Sequence, residues 1–314
     1  MPRAETPEPE QGERPGQAGE PGSPPAAPPK PSLPEVISKG SEPVIGARLN
    51  EEIQALVGGL ADKYCLLSLY DPVDSIGAWE ASQIFSALKS NNAKRDKDVL
   101  LMIASHGGRI EPAYQISKVC KAFAKENFVV VIPRAAKSAA TLIALGADNI
   151  HMGMLGELGP IDPQIEGKPA LAVKRALETI AGLCEQYPGS AEFFARYAAR
   201  ALKIEQIGYA ERVGESAVQY AERLLGKKPG IAPQARRIAQ KLVNEYKDHS
   251  FVIDLEEAKA QLGESWIVSD SPELDFAERL YELFDETNIF MSIFHKKRLC
   301  VVGGITEAKF FDRR

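Results

Sequence analysis

Cysteine is scarce in this chain: four among 314 residues, Cys65, Cys120, Cys184 and Cys300, with no CxxC pair and no histidine at ligand spacing. That argues against a disulfide framework or a zinc site and leaves the four as structural thiols. No apolar run reaches the roughly 18 residues that a membrane span requires, and no signal-peptide apolar stretch follows the first residues. Positive charge is not in excess either. Lys and Arg number 38 against 43 Asp and Glu, a net charge of −5, which gives no sign of a nucleic-acid partner. No ATPase motif is present, so any energy-dependent step must come from a partner or be absent. The expectation is a soluble, cytoplasmic protein without cofactor or metal.

What the chain has is unevenly spread. Twelve of its 22 prolines fall between Pro2 and Pro43, among Glu, Gly, Ser and Ala. Such a stretch cannot bury enough apolar surface to offset the entropy of ordering, so residues 1–43 read as a disordered, partly polyproline-II tail. The remainder suits one domain with helical additions. We divide it into a core over 44–167, a helical segment over 168–248, and a C-terminal segment over 249–314.

The core centres on residues 99–164. Val99 to Ala104 and Phe128 to Ile132 are short runs rich in Val, Ile and Leu, and they read as buried strands of a parallel sheet. Between them, Glu111 to Lys125 has helical periodicity, with Ile116, Val119, Cys120 and Phe123 able to share a face. After the second strand come Ser138 and a helix of small residues. Upstream, Val44–Lys63 predicts a helix, Cys65–Tyr70 a strand and Asp74–Lys89 another helix. Right-handed crossovers would set these strands side by side. Further helices are predicted over 168–186, 191–225, 235–246 and 275–285. A short one ends at Gly263, and 298–311 holds only a short apolar piece.

Two turns carry chemistry. Ser138 stands at a helix start, where unpaired N–H groups and the dipole favour an anion. Ala136, Ala139 and Ala140 around it are small enough for a carbonyl to approach. A serine there serves equally as an ordinary N-cap. Gly107–Gly108 ends a strand and opens a helix, so its backbone can expose N–H groups to a ligand, or can simply turn. The two turns should meet at one sheet edge, where open α/β folds gather ligands.

The segment SHGGRIEPAYQI resembles the S/T-x-G-G-x-x-x-x-A-x-x-I element of the ClpP/crotonase superfamily. KSAATLIALGADNIHMGMLGELGPIDPQ resembles the serine-nucleophile element of its signal-peptide-peptidase-A-like branch, and more closely that of the serine dehydrogenase proteinases. His249 with VIDLEEAKAQLG is similar to a later H-x-x-P-I segment of that family, with Val252 in place of the proline. The resemblance covers roughly Leu66 to Gly263. It implies an α/β fold with a stacked βα (ββα-superhelix) core and a C-terminal helical extension. It further implies a serine peptidase acting on peptides or unfolded protein, assembled from several copies of the chain.

In that reading Ser138 is the nucleophile, and the N–H groups of Gly107, Gly108 and Ala139 form the oxyanion hole. The base is less plain. The ClpP branch supplies a His soon after the serine, but here that zone holds Pro160, Ile161, Asp162 and Pro163. The other branch uses a Lys further on; the nearest are Lys168 and Lys174, and Lys174 is the first choice because Leu171 and Leu177 could partly bury it. His249 is the second. Asp162 either orients the base or closes an Asp–Pro turn. Lys137 has a structural or substrate-contact role, His106 points away from the oxyanion hole, and His151 sits on the following strand. An acyl-CoA-processing crotonase and a non-catalytic scaffold of the same fold are the alternatives.

Overall fold

Strands buried on both faces read as continuous apolar runs, and the middle of the molecule is built from such runs. The computed structural model describes residues 31–73, 75–165, 168–169, 172–201 and 204–313; residues 1–30 of the proline-rich segment lie outside it. Helices α1 (Leu33–Lys39), α2 (Glu42–Val57), α3 (Leu60–Lys63), α4 (Ala78–Asn91), α5 (Ile110–Phe123) and α6 (Ala139–Ala144) come first. They are followed by α7 (Ala172–Gln186), α8 (Ala191–Ala201), α9 (Ile204–Leu225), α10 (Ala235–Gln240), α11 (Leu255–Leu262) and α12 (Pro272–His295).

The strands are β1 (Tyr64–Tyr70), β2 (Asp98–Ala104), β3 (Phe128–Ile132), β4 (Ala135–Ala136), β5 (Asn149–Met152) and β6 (Glu157–Leu158). After them come β7 (Gln164–Ile165), β8 (Lys168–Pro169), β9 (Ile267–Val268), β10 (Lys297–Gly304) and β11 (Ala308–Asp312). Seven of them form one sheet in the order β11-β10-β1-β2-β3-β5-β9. From β1 to β9 the neighbours are parallel, while β10 and β11 close that side antiparallel.

Alternation along the strands splits the core into two layers. Leu67, Leu101, Ile103 and Val130 face Ile84 and Leu88 of α4, Ile116 and Cys120 of α5, and Leu142 of α6. Tyr70, Leu100, Met102 and Val131 face Ile37 of α1, Ile45 and Leu49 of α2, and Phe284 of α12. This is the α/β class, with a parallel sheet covered by helices on both faces, that the strand–helix alternation leads one to expect.

Of the departures from the sequence-based expectation, which include a helix α12 that runs well past 285, three bear on the core and the site. The folded unit starts at Leu33, before the boundary at 43 that composition suggests. Leu33 and Ile37 are buried, and the Ile37 carbonyl lies 2.6 Å from Nε2 of His295 at the end of α12. Ile37→Ala should therefore lower unfolding stability by about 2–5 kcal/mol, read from the urea midpoint. An unchanged midpoint would show that α1 is not part of the folded core.

The second departure is the C-terminal apolar piece, which is two strands. β10 pairs with β1 through Leu69↔Val302. The third is α10, which gives way at Lys241–Glu245 to a π turn. A wider turn loosens the helical ladder, and the Leu242 carbonyl within it accepts the N–H of Ile161 at 2.8 Å. All four cysteines are free thiols. Burial pushes the thiols of Cys120 and Cys300 well above the usual range and that of Cys65 to about 11, consistent with structural roles. Among the described residues no helix is long and apolar enough to cross a membrane.

Candidate active site

Ser138 has φ 52° and ψ −118°, a left-handed backbone that L-residues rarely adopt. An ordinary N-cap is extended and accepts a hydrogen bond from the first turn; Ser138 is not extended, and its side chain makes no cap hydrogen bond. Strain of this kind costs about 1–3 kcal/mol and persists where the surroundings over-determine it. Here β4 holds one side of the turn and α6 the other. The Lys137 N–H donates to the Ser105 carbonyl at 3.0 Å, and Ser105 bridges Ala136 in parallel register.

Gly107 is pressed onto this turn. A Cβ there would lie 2.7 Å from both the Lys137 carbonyl and the Ser138 Cβ, and 3.1 Å from the Ala139 nitrogen. Only glycine fits, at φ 106°. Gly108 is clamped on its other side by Ile76: the Ile76 N–H donates to the Gly107 carbonyl and the Arg109 N–H to the Ile76 carbonyl, both at 2.8 Å. The Gly107 N–H, one of the three donors expected at this turn, donates to the Ser105 hydroxyl at 3.2 Å. Among the described residues, nothing accepts from the N–H of Gly108 or of Ala139.

The second half of the site arrives by strand pairing. β6 lies parallel beside β4, with Leu158 opposite Ala136. Its far side takes an antiparallel bridge from Ile253, with Leu158 and Ile253 exchanging both hydrogen bonds at 2.9 and 3.0 Å. Continuing that register four residues along each segment sets Asp162 against His249. The His249 Nδ1 stands 2.6 Å from Asp162 Oδ1. The Gln164 amide donates to Asp162 Oδ2 at 2.9 Å and lies 3.2 Å from the same ring nitrogen. Burial raises the Asp162 carboxyl pKa, and the hydrogen bond and charge of His249 draw it partly back.

Two residues that lie within the quoted motif segment but to which the sequence reading gave no role, Thr141 and Glu157, hold the halves together. Thr141 is fully buried on the first turn of α6. Its hydroxyl contacts the Ala136 carbonyl at 2.7 Å and the Gly159 carbonyl at 2.9 Å, and accepts the Gly159 N–H at 3.0 Å. Glu157 pairs with Lys137 at 3.0 Å, and the Lys137 ammonium also donates to the Phe251 carbonyl at 3.3 Å. Lys137 thus bridges β6 and the segment that carries His249. Threonine in the first helical turn is the signal that could have pointed to the first tie; the second is long-range and leaves none.

The remaining expected residues divide. His106 is exposed beside the glycines. His151 is buried on β5 against the Ser271 hydroxyl at 2.7 Å, and burial lowers its pKa, so it serves the cap of α12. The backbones of Lys168 and Lys174 lie in β8 and α7, but their side chains are outside the described residues. Among the described residues no side chain hydrogen-bonds the Ser138 hydroxyl, and no cluster of His, Cys, Asp and Glu could hold a metal ion.

Set against known proteins, residues 76–287 match the family model described as ClpP-like SDH-type serine proteinase. Two uncharacterized proteins of Methanocaldococcus jannaschii are similar in part. One is 40% identical over 99 residues, 32% of this chain and 34% of the relative. The other is 38% identical over 81 residues, 26% and 27% of the two chains. The chain therefore spans about a third or less of the length of the curated relatives it matches. Among solved structures, the 1510-N membrane-bound stomatin-specific protease overlaps 68% of this chain and 81% of its own at 14% identity and a TM-score of 0.42. ClpP1 from Listeria monocytogenes overlaps 70% of this chain and 99% of its own at 18% identity, with the same TM-score of 0.42.

Proposed function

The chain belongs to the ClpP-like SDH-type serine proteinases, and we propose that it hydrolyses peptide bonds through an acyl-enzyme on Ser138. The observation that carries this reading is the Ser138 turn itself: a strained strand-to-helix corner with no capping bond and a glycine pressed against it. Nucleophiles on such corners are held forward, clear of their own backbone.

In this reading Ser138 Oγ attacks the scissile carbonyl carbon and its proton passes to His249 Nε2. Asp162 accepts from Nδ1–H, keeps that tautomer and stabilises the imidazolium that forms. The N–H groups of Gly108 and Ala139 receive the oxyanion, and Gly107 serves by its lack of a side chain rather than as a donor. His249 then gives its proton to the leaving amine, and water repeats the sequence on the ester. Catalytic hydrogen bonds commonly tighten only when substrate is in place, so this reading has the His249 segment close onto Ser138 with the peptide bound. Substrates are peptides or unfolded protein. Helices α8 and α9, which expose Phe193, Tyr197 and Tyr209, are the surface this reading assigns to contacts between copies of the chain.

A fluorophosphonate probe tests it. Wild type is expected to be labelled and Ser138→Ala not. Equal labelling of both, or of neither, would sink the peptidase reading; thioester turnover without labelling would favour a crotonase-type activity instead.

A further inference from the structure

The sheet has a second edge. Ser138 follows the C-terminal ends of β3 and β4, whereas Asp148 precedes β5 and its carboxylate accepts the N–H of Phe128, the first residue of β3. At this opposite edge the last turns of α5, the end of α6 and the segment after α9 enclose a cavity of ≈ 250 Å³. Ser117, Lys118, Lys121, Asp148, Lys227 and Lys228 line it.

Four ammonium groups meet one carboxylate there. Asp148 answers two of them, Lys121 at 2.6 Å and Lys228 at 3.4 Å, and Lys228 also donates to the Gly146 carbonyl at 3.1 Å. Lys118 and Lys227 have no carboxylate partner among the described residues. They face each other, and the hydrogen-bonding contact with Lys118, together with its charge, holds the Lys227 ammonium below the usual lysine range. Like charges held together without a counter-charge repel. A second, independent observation lies in the same wall. Ser117 is 1% exposed, and its buried hydroxyl has no hydrogen-bond partner among the described residues. Buried hydroxyls are nearly always paired. Gly146 packs against it; a Cβ at that position would come within 1.8 Å of Ser117 Oγ, so only glycine leaves room for the hydroxyl at this wall.

We propose that this cavity binds a small free oxyanion of the di- or polyphosphate class, held by Lys118 and Lys227, with Ser117 donating its hydroxyl. Several acceptor oxygens and more than one negative charge are what two unpaired ammonium groups and an orphan donor call for. Lys121 and Lys228, already neutralised in part by Asp148, add a weaker field. The site is separate from Ser138 and does not depend on the peptidase reading.

Inorganic pyrophosphate is the probe, followed by calorimetric titration and by thermal melting, with sodium chloride matched for ionic strength. Wild type is expected to bind and to melt at a higher temperature than in the salt control. The double variant K118Q/K227Q is expected to weaken binding about tenfold or more, and S117A by a smaller factor. Both lysines are exposed, so the double variant should fold as wild type does. Vesicles of phosphatidic acid at the same phosphate concentration should not sediment the protein. Absence of pyrophosphate binding, binding unchanged in K118Q/K227Q, or a melting shift reproduced by the salt control would each overturn the assignment. Capture on the vesicles would overturn the free-anion form of it.

Discussion

His249→Ala is expected to cut kcat by about 10³-fold or more with little change in KM, because in the proposed mechanism the imidazole moves a proton in the transition state rather than holding substrate. The contact from Nδ1 to Asp162 Oδ1, 2.6 Å long, selects the tautomer that leaves Nε2 basic. Asp162→Asn should then cost roughly 10²–10⁴-fold, since an amide can present its own N–H to Nδ1 and favour the wrong tautomer. Lys174→Ala serves as the comparison and should leave kcat near wild type. If Lys174→Ala collapses the rate and His249→Ala does not, the base is Lys174.

The pH dependence has a sign that follows from Asp162. Burial raises its carboxyl pKa above the ordinary aspartate value, with His249 opposing. In the proposed mechanism the carboxylate is the working form, so kcat/KM should fall as pH drops through that raised value. Stability runs the other way. A raised folded-state pKa contributes stability below the unfolded pKa, and the contribution is lost as pH rises through the folded one. Both dependences should flatten in Asp162→Asn. An acid limb and a melting profile identical to wild type would remove Asp162 from the mechanism.

Gly108→Ala carries the second large effect. At φ 154° its new Cβ would sit 2.3 Å from the Ile76 nitrogen and 2.5 Å from the Ile76 carbonyl oxygen. Backbone has no flexible end to swing aside, so the segment that carries Ile76 must move. The two 2.8 Å bonds that clamp Ile76 to Gly107 and Arg109 would be strained or lost. The Gly108 N–H would shift with them; in the proposed mechanism it is an oxyanion donor, and loss of one such donor costs about 10²–10³-fold in rate. Probe labelling should slow by that factor, and the melting temperature should fall as well. Gly182→Ala is the control: an added Cβ there meets nothing within 4 Å on α7, so it should be neutral or mildly stabilising. Wild-type labelling by Gly108→Ala would exclude its N–H from the reaction.

Much of the central sheet can be read directly from the residues. The runs around Leu67, Leu101 and Val130 are apolar on both faces, and their parallel adjacency follows from the helices between them. The last strands were harder. Cys300 to Gly304 is too short and too Gly-rich to declare itself, and only its pairing with β1 makes it a strand. Leu33 and Ile37 are lost in proline-rich surroundings; what makes α1 a helix is the apolar layer that receives them. At the site, Ser138 and the glycines stand out because local backbone demands select those residue types. Its backbone angle does not, so cap and corner look alike in sequence. Asp162 and His249 were each visible alone. Their meeting depends on the Leu158–Ile253 register, a long-range pairing that no local pattern encodes.

The late arrival of β10 has a consequence for biogenesis. β1 sits between β2 and β10, so Leu69 gains its second neighbour only when the ribosome has made Val302. Until then β1 is an open edge, with its N–H and C=O groups free to recruit other chains. Contacts between segments this far apart are the slow ones to form. The growing chain therefore carries Ser138, Asp162 and His249 out of the ribosome before the sheet that anchors them can close. The β1 edge is thus closed by a segment made after all three of these residues, and the interval before Val302 emerges is when that edge is open to pairing with other chains.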